Sequence, residues 1–219
     1  MGRYLDLFIF FLFIVSAALF ILYPQIDIAF SALFYEDGFY LADRWWAKAI
    51  YKATVYVTAL FALGTLVLLL AQTVFKREFL GIKKRVLVYL LAVLITGPGI
   101  VVNLVLKNHW DRARPIQCEE FGGKAKFSPA FLISDQCERN CSFTSGHSAA
   151  AFYFLALVPL FRKKSHKIVA AAAALTWGGV VSAVRIVQGG HFLSDTIFSA
   201  FIVYFTARAF YFLILKREE

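Results

Sequence analysis

The sequence is short of charge where a soluble protein would spread it. Six apolar runs, residues 7–23, 54–75, 86–106, 145–161, 168–184 and 192–215, carry almost none near their centres. Transporters keep ionisable groups near the bilayer midplane, often on paired broken helices. Here Pro98 alone breaks a run, with no counterpart in the other half, which counts against transport. Acidic residues are scarce too, 14 against 23 Lys and Arg, giving a formal charge of +9. That excess does not point to nucleic acid, because the basic residues form short clusters between apolar runs. Long polar sequence is missing except at residues 108–141. No small-x-small cleavage site precedes Tyr23-Pro24-Gln25, so the first run reads as a retained span and not a signal peptide.

What remains is a membrane composition. Hydrophobic residues make up 60% of the chain, against roughly 45–50% in soluble domains. The runs approach the ~20 residues that a helix needs to cross a bilayer. The expected fold class is all-α integral membrane: six transmembrane helices in one domain over residues 1–219, with an interfacial helix after the first and an outer loop at 108–141. The interfacial helix is read from Ile26, Phe30, Leu33 and Phe34, which fall near helical spacing. The neighbouring Tyr35, Phe39, Tyr40, Trp45 and Trp46 read as an aromatic belt, with a lateral gate for a lipid as the rival. Pro98 is expected to kink the third span, and Arg208 to snorkel from the last one.

Six spans put both termini on one side. The turns holding Lys76, Arg77, Lys83, Lys84 and Arg85, and then Arg162, Lys163, Lys164 and Lys167, mark that side as cytoplasmic; Arg3, Lys216 and Arg217 agree. Cys118, Cys137 and Cys141 all lie in the opposite, outer loop, which suits an oxidising compartment. An odd count leaves one cysteine over. Cys137 is close enough in sequence to pair with Cys141, and Cys118 with Cys137 is the rival pairing.

The polar chemistry gathers at one end of the runs. Ser142-Phe143-Thr144-Ser145-Gly146-His147 opens the fourth, and a helix starting there points free N–H groups and its positive end at any anion. Lys107-x6-Arg114-Pro115 stands upstream and Arg185-x5-His191-x3-Asp195 downstream. One helical turn separates His191 from Asp195, so that the carboxylate can hold the imidazole's orientation and tautomer. Cations that gather at one point favour an anion over a metal, so a zinc site on His147, His191 and Asp195 is not expected.

The three blocks together resemble the type-2 phosphatidic acid phosphatase family of membrane lipid phosphatases. That family's pattern reads Lys-x6-Arg-Pro, Pro-Ser-Gly-His and Ser-Arg-x5-His-x3-Asp. Here Thr144 replaces the proline and Val184 the serine before Arg185; neither change removes a titrating group. The Cys137-x3-Cys141 stretch with Trp110-Asp-Arg-Ala-Arg-Pro looks most like bacterial members near the lipid A phosphatases.

The resemblance implies metal-independent hydrolysis of a lipid phosphate or diphosphate at the periplasmic face of the bacterial inner membrane, through a phosphohistidine. It makes His191 the nucleophile, Asp195 its partner and His147 the acid for the leaving oxygen. Lys107, Arg114, Ser145, Gly146 and Arg185 would bind the phosphate. It implies no cofactor, no nucleic acid and no obligate protein partner beyond the bilayer and its lipid. Candidate substrates are lipid A phosphate, undecaprenyl diphosphate, phosphatidylglycerol phosphate and phosphatidic acid, with lipid phosphotransfer as a related activity. Asn103, His109, Asp111 and Arg112 receive no firm role.

Overall fold

The computed structural model describes residues 3–216. Arg217 lies outside the described residues, as does the side chain of Arg3. Among the described residues the chain is helical and has no strand. Five helices are long and apolar enough to cross a membrane: α1 (Tyr4–Leu22), α3 (Trp45–Phe75), α4 (Lys84–His109), α6 (Lys164–Val187) and α7 (Leu193–Leu215). Two shorter ones complete the set, α2 (Gln25–Ala32) and α5 (Gly146–Leu160). Pro24 separates α1 from α2, and α3 starts at Trp45, so Trp45 and Trp46 begin a long helix instead of belonging to the interfacial stretch.

The apolar surface faces outward as lipid requires. Phe11 on α1 is 61% exposed and Leu60 on α3 is 68% exposed, a surface that a soluble protein would not leave bare. The buried centre is α5, which packs against α3, α4, α6 and α7. Its inward residues Ala149, Ala151 and Ala156 are small, and Gly178 on α6 leaves room for the Phe152 ring, which a Cβ there would strike. Close approach of this kind is how helices associate without a hydrophobic drive between them.

Beyond Phe152, α5 tightens into a 3₁₀ helix, Tyr153–Leu160. Its polar backbone still needs partners, because the hydrocarbon offers none. Tyr89 of α4 donates to the Ala156 carbonyl at 3.0 Å, and Tyr153 donates back to Leu90 at 3.0 Å.

Pro98 does not break α4. The helix widens to π-type turns over Ile95–Leu106, the usual way to accommodate a residue that lacks an N–H. The Asn103 amide donates to the Pro98 carbonyl at 2.7 Å, so that group is satisfied. Arg208 is not a free snorkelling cation either. It is 8% exposed and paired with Asp6 of α1, which also accepts from Tyr204 at 2.6 Å. A charge buried to this extent is rarely found without a partner, and Asp6 supplies one.

The aromatic stretch after α1 is divided. Phe39 packs with Phe121 and Phe192 in a core under the outer loop, with Tyr35 5.4 Å from each of the Phe39 and Phe121 rings. Tyr40 and Trp45 remain exposed, as a belt would be.

In the 108–141 loop Cys137 and Cys141 form a disulfide, their Cα atoms 5.7 Å apart, while Cys118 is a buried free thiol. Cys118 donates to the Arg114 carbonyl at 3.3 Å, and burial pushes it up to about 12. A thiol held this way is a poor nucleophile. Intact-mass analysis after alkylation without reductant should therefore find no tag on the native protein and one after unfolding. Three tags on the unfolded chain would show that the disulfide is absent.

Candidate active site

The site is built where a loop, residues 137–145, threads between the end of α4 and the start of α7. Three backbone bonds pin it: Cys141 N–H to Lys107 O at 3.2 Å, Ser142 N–H to Arg112 O at 2.8 Å, and Ser145 N–H to Asp195 O at 3.2 Å. Ser145 then caps α5, its hydroxyl accepting from Ser148 N–H at 3.3 Å, a cap typically worth ~1 kcal/mol. Gly146 follows because only a residue without a side chain fits. A Cβ there would come within 2.5 Å of Asn103 Oδ1 and 3.3 Å of the Lys107 side chain.

His191 and Asp195 are buried beside this loop. His191 Nδ1 lies 2.8 Å from the Ser142 carbonyl and 3.6 Å from Asp195 Oδ2. A carbonyl only accepts, so Nδ1 carries the proton and Nε2 keeps its lone pair. The sequence assigned this orienting role to Asp195; the nearer contact is Ser142, which serves both partners. Its carbonyl accepts a hydrogen bond from the imidazole Nδ1–H and its hydroxyl donates to Asp195 Oδ2. Asp195 Oδ2 also accepts from Phe192 N–H at 2.8 Å, at the start of its own helix. Arg112 donates to Asp195 Oδ1 at 2.6 Å. Burial, joined by the charges of Lys107, Arg185 and Arg114, pushes His191 well below its ordinary value, while Asp195 opposes the fall. The imidazole is therefore neutral near pH 7, as a nucleophile must be.

Three cations face the same space. Lys107 Nζ donates to Asn140 Oδ1 at 3.1 Å, and Arg114 donates to the Asn140 carbonyl through Nη2 at 2.8 Å. Arg185 reaches Gln188 and lies 4.9 Å from the Tyr51 ring centre. Burial draws Arg114 below its ordinary value, yet a guanidinium stays charged. On its other side Tyr51 stacks on His147, centroids 4.1 Å apart and planes 24° apart. His147 Nε2 is buried and has no hydrogen-bond partner among the described residues.

A cavity of about 410 Å³ joins these groups. Lys107, Arg114, Gly146, His147, Arg185 and His191 line it, so the fold brings together residues separated by 84 positions. Ser145 and Asp195 do not line it: the first is the helix cap beneath, and the second lies behind His191. Val55, Ala59 and Ala62 of α3 give the cavity an apolar wall. Among the described residues no group of three His, Cys, Asp or Glu side chains could hold a metal. His109 is exposed at the end of α4, and the backbone carbonyl of Asp111 accepts from Ser134.

Sequence reasoning missed Ser142, Asn140, Tyr51 and Asp27, and left Arg112 without a role. Arg112 had a visible signal, a second arginine two positions before Arg114. The others act through a carbonyl, a ring face or a distant segment, none of which leaves a mark in local spacing.

Comparison with known proteins gives the family. Residues 83–219 match the PAP2 superfamily. A Lipid A 4'-phosphatase of Francisella tularensis subsp. novicida (strain U112) is 36% identical over 211 residues, covering 91% of each chain. A Lipid A 4'-phosphatase of Rhizobium leguminosarum is 41% identical over 107 residues, 49% of this chain and 46% of that one. No solved structure matches. The apolar helices, the phosphate-sized cluster of cations and histidines, and these relatives lead to one conclusion: the chain belongs to the PAP2 superfamily and is a membrane phosphoric monoester hydrolase.

Proposed function

We propose that the chain removes a phosphate from lipid A, through a phosphohistidine on His191, at the periplasmic face of the bacterial inner membrane. One observation carries the reading. The cavity has three cations and two histidines at one end and the apolar wall of α3 along its side. That is the shape of a phosphate joined to a lipid body, and the relatives' names favour lipid A as the body.

The residues divide the chemistry as follows. Lys107, Arg114, Arg185 and the Gly146 N–H hold the phosphate oxygens, arginine doing so in bidentate fashion. The Ser145 hydroxyl, still free to donate its proton, lies just below. The His191 Nε2 lone pair forms a bond to phosphorus while the bond from phosphorus to the lipid oxygen breaks. The bound phosphate's charge offsets the cations and keeps a proton on His147, whose Nε2 gives it to the departing oxygen. Water then attacks phosphorus, losing a proton to His147, and the P–N bond breaks to release inorganic phosphate and restore His191. No step needs a metal.

Six crossings fit the architecture. Asp6 on α1 pairs with Arg208 on α7, so the first helix begins near where the last one ends, which an even number of crossings satisfies. The sixth crossing is α5. Its seven α-helical and eight 3₁₀ residues span about 26 Å at ~1.5 and ~2.0 Å per residue, close to the ~30 Å hydrocarbon core.

Activity is tested by phosphate release from lipid A, undecaprenyl diphosphate, phosphatidylglycerol phosphate and nitrophenyl phosphate. Lipid A should be turned over fastest among the lipids, and His191→Ala should abolish every activity. General acid help is typically worth about 10²–10⁴-fold and matters most for a poor leaving group. His147→Ala should thus lose far more of the first-turnover burst with lipid A than with nitrophenyl phosphate. Equal losses would remove His147 as the acid, and no release from lipid A would overturn the substrate.

Topology is tested by cysteine labelling in intact cells with a reagent that cannot cross the membrane. Position 124 should react and position 81 should not. The reverse pattern would move the site to the cytoplasm.

A further inference from the structure

Behind the site lies a charge pattern that none of these steps uses. Arg112 is fully buried, and four of its five N–H groups donate to protein oxygens. Nε donates to the Ser128 carbonyl at 2.8 Å, Nη1 to Ser194 Oγ at 2.9 Å and Asp195 Oδ1 at 2.6 Å, and Nη2 to Asp27 Oδ2 at 2.8 Å. Its charged plane lies 4.4 Å from the centre of the Phe192 ring. Asp27, on α2, is fully buried too. It accepts from Ser194 N–H at 2.9 Å and from the Ser194 hydroxyl, so Ser194 links it to the first turn of α7.

The charges do not balance. One guanidinium sits between two carboxylates, leaving one negative charge in excess beside a neutral His191. If Arg112 served only to neutralise Asp195, a second buried carboxylate would be a penalty with no return. The excess acquires a use when His191 reacts. Once Nε2 bonds to phosphorus while Nδ1 keeps its proton, the ring becomes an imidazolium, and the charges of Asp27, Arg112, Asp195 and His191 sum to zero, with Lys107, Arg114 and Arg185 left to face the phosphate.

We propose that Asp27 is a positioning residue for the proposed phosphoryl transfer, fixing Arg112 and supplying the excess negative charge that the reacting His191 cancels. The inference rests on the reading of His191 as the nucleophile. Asp27 lies outside residues 83–219, so the part of the chain that matches the superfamily borrows this charge from a segment before it. Burial raises the Asp27 carboxyl, with Asp195 adding to the rise and Arg112 opposing it. Three donors, Arg112 and the N–H and O–H of Ser194, nevertheless hold it as a carboxylate.

The test is the pH–rate profile of the full-length protein in lipid nanodiscs with nitrophenyl phosphate. Around His191 the charged groups are Asp195, Lys107, Arg114 and Arg185, and around Asp27 they are Arg112 and Asp195. Asp27→Asn alters none of these groups and preserves an acceptor for Ser194. Removing a negative charge disfavours the imidazolium, so the acid limb of kcat/KM should move about one unit to lower pH. The same loss in the imidazolium-forming step should lower kcat about tenfold, with KM little changed. Asp27→Glu, which keeps the charge, should keep the wild-type limb, and it remains informative if Asp27→Asn fails to fold.

An unmoved limb in Asp27→Asn overturns the inference, whether or not thermal stability falls. So does a limb that moves in Asp27→Glu. Full activity in His191→Ala would instead remove the nucleophile reading beneath it, a separate outcome.

Discussion

The proposed chemistry depends on where one proton sits. An imidazole attacks through a nitrogen only if the other holds the hydrogen, and here the Ser142 carbonyl at 2.8 Å fixes it on Nδ1. Ser142 can do this because its own N–H is held by Arg112 O and its hydroxyl by Asp195. The loop from the disulfide to the α5 cap is therefore part of the chemistry, a rigid bracket between α4 and α7.

That bracket also explains the short central helix. α5 begins at the depth of the cavity, which Gly146 and His147 line, and it is enclosed by α3, α4, α6 and α7. Small side chains let its neighbours close around it, and the Tyr89 and Tyr153 hydroxyls satisfy carbonyls that lipid would leave bare. The same packing brings the Tyr51 ring of α3 against both His147 and Arg185. Close packing and a dry interior make each of these contacts worth more than it would be in water.

The chain announced its apolar runs and its charged motif ends, because both are one-dimensional patterns. Lys107, Arg114, His147, Arg185 and His191 were legible as a group and line one cavity. Thirty-one residues of α3 were legible only from Thr54 on, since Trp45 and Trp46 resemble an interfacial pair until packing extends the helix. Arg208 looked like a snorkelling cation because its partner, Asp6, lies at the far end of the sequence. Ser145 carried a family role as a phosphate donor, while its local duty as helix cap follows from the backbone alone. Asp27 was invisible for the same reason as Asp6: a buried ion pair between distant segments leaves no spacing to read.

The central claim is that His191 Nε2 forms a covalent bond to phosphorus, and direct trapping of that bond tests it. The purified protein would be mixed with a lipid phosphate labelled on phosphorus and stopped in alkali, where a phosphoramidate survives, before the chain is cut and mapped. The account predicts label on the peptide that carries His191, absent from His191→Ala and, with labelled nitrophenyl phosphate, whose good leaving group needs little acid help, accumulating in His147→Ala as water loses its base. A chain that never takes up label during rapid turnover, or label on any other side chain, would contradict it.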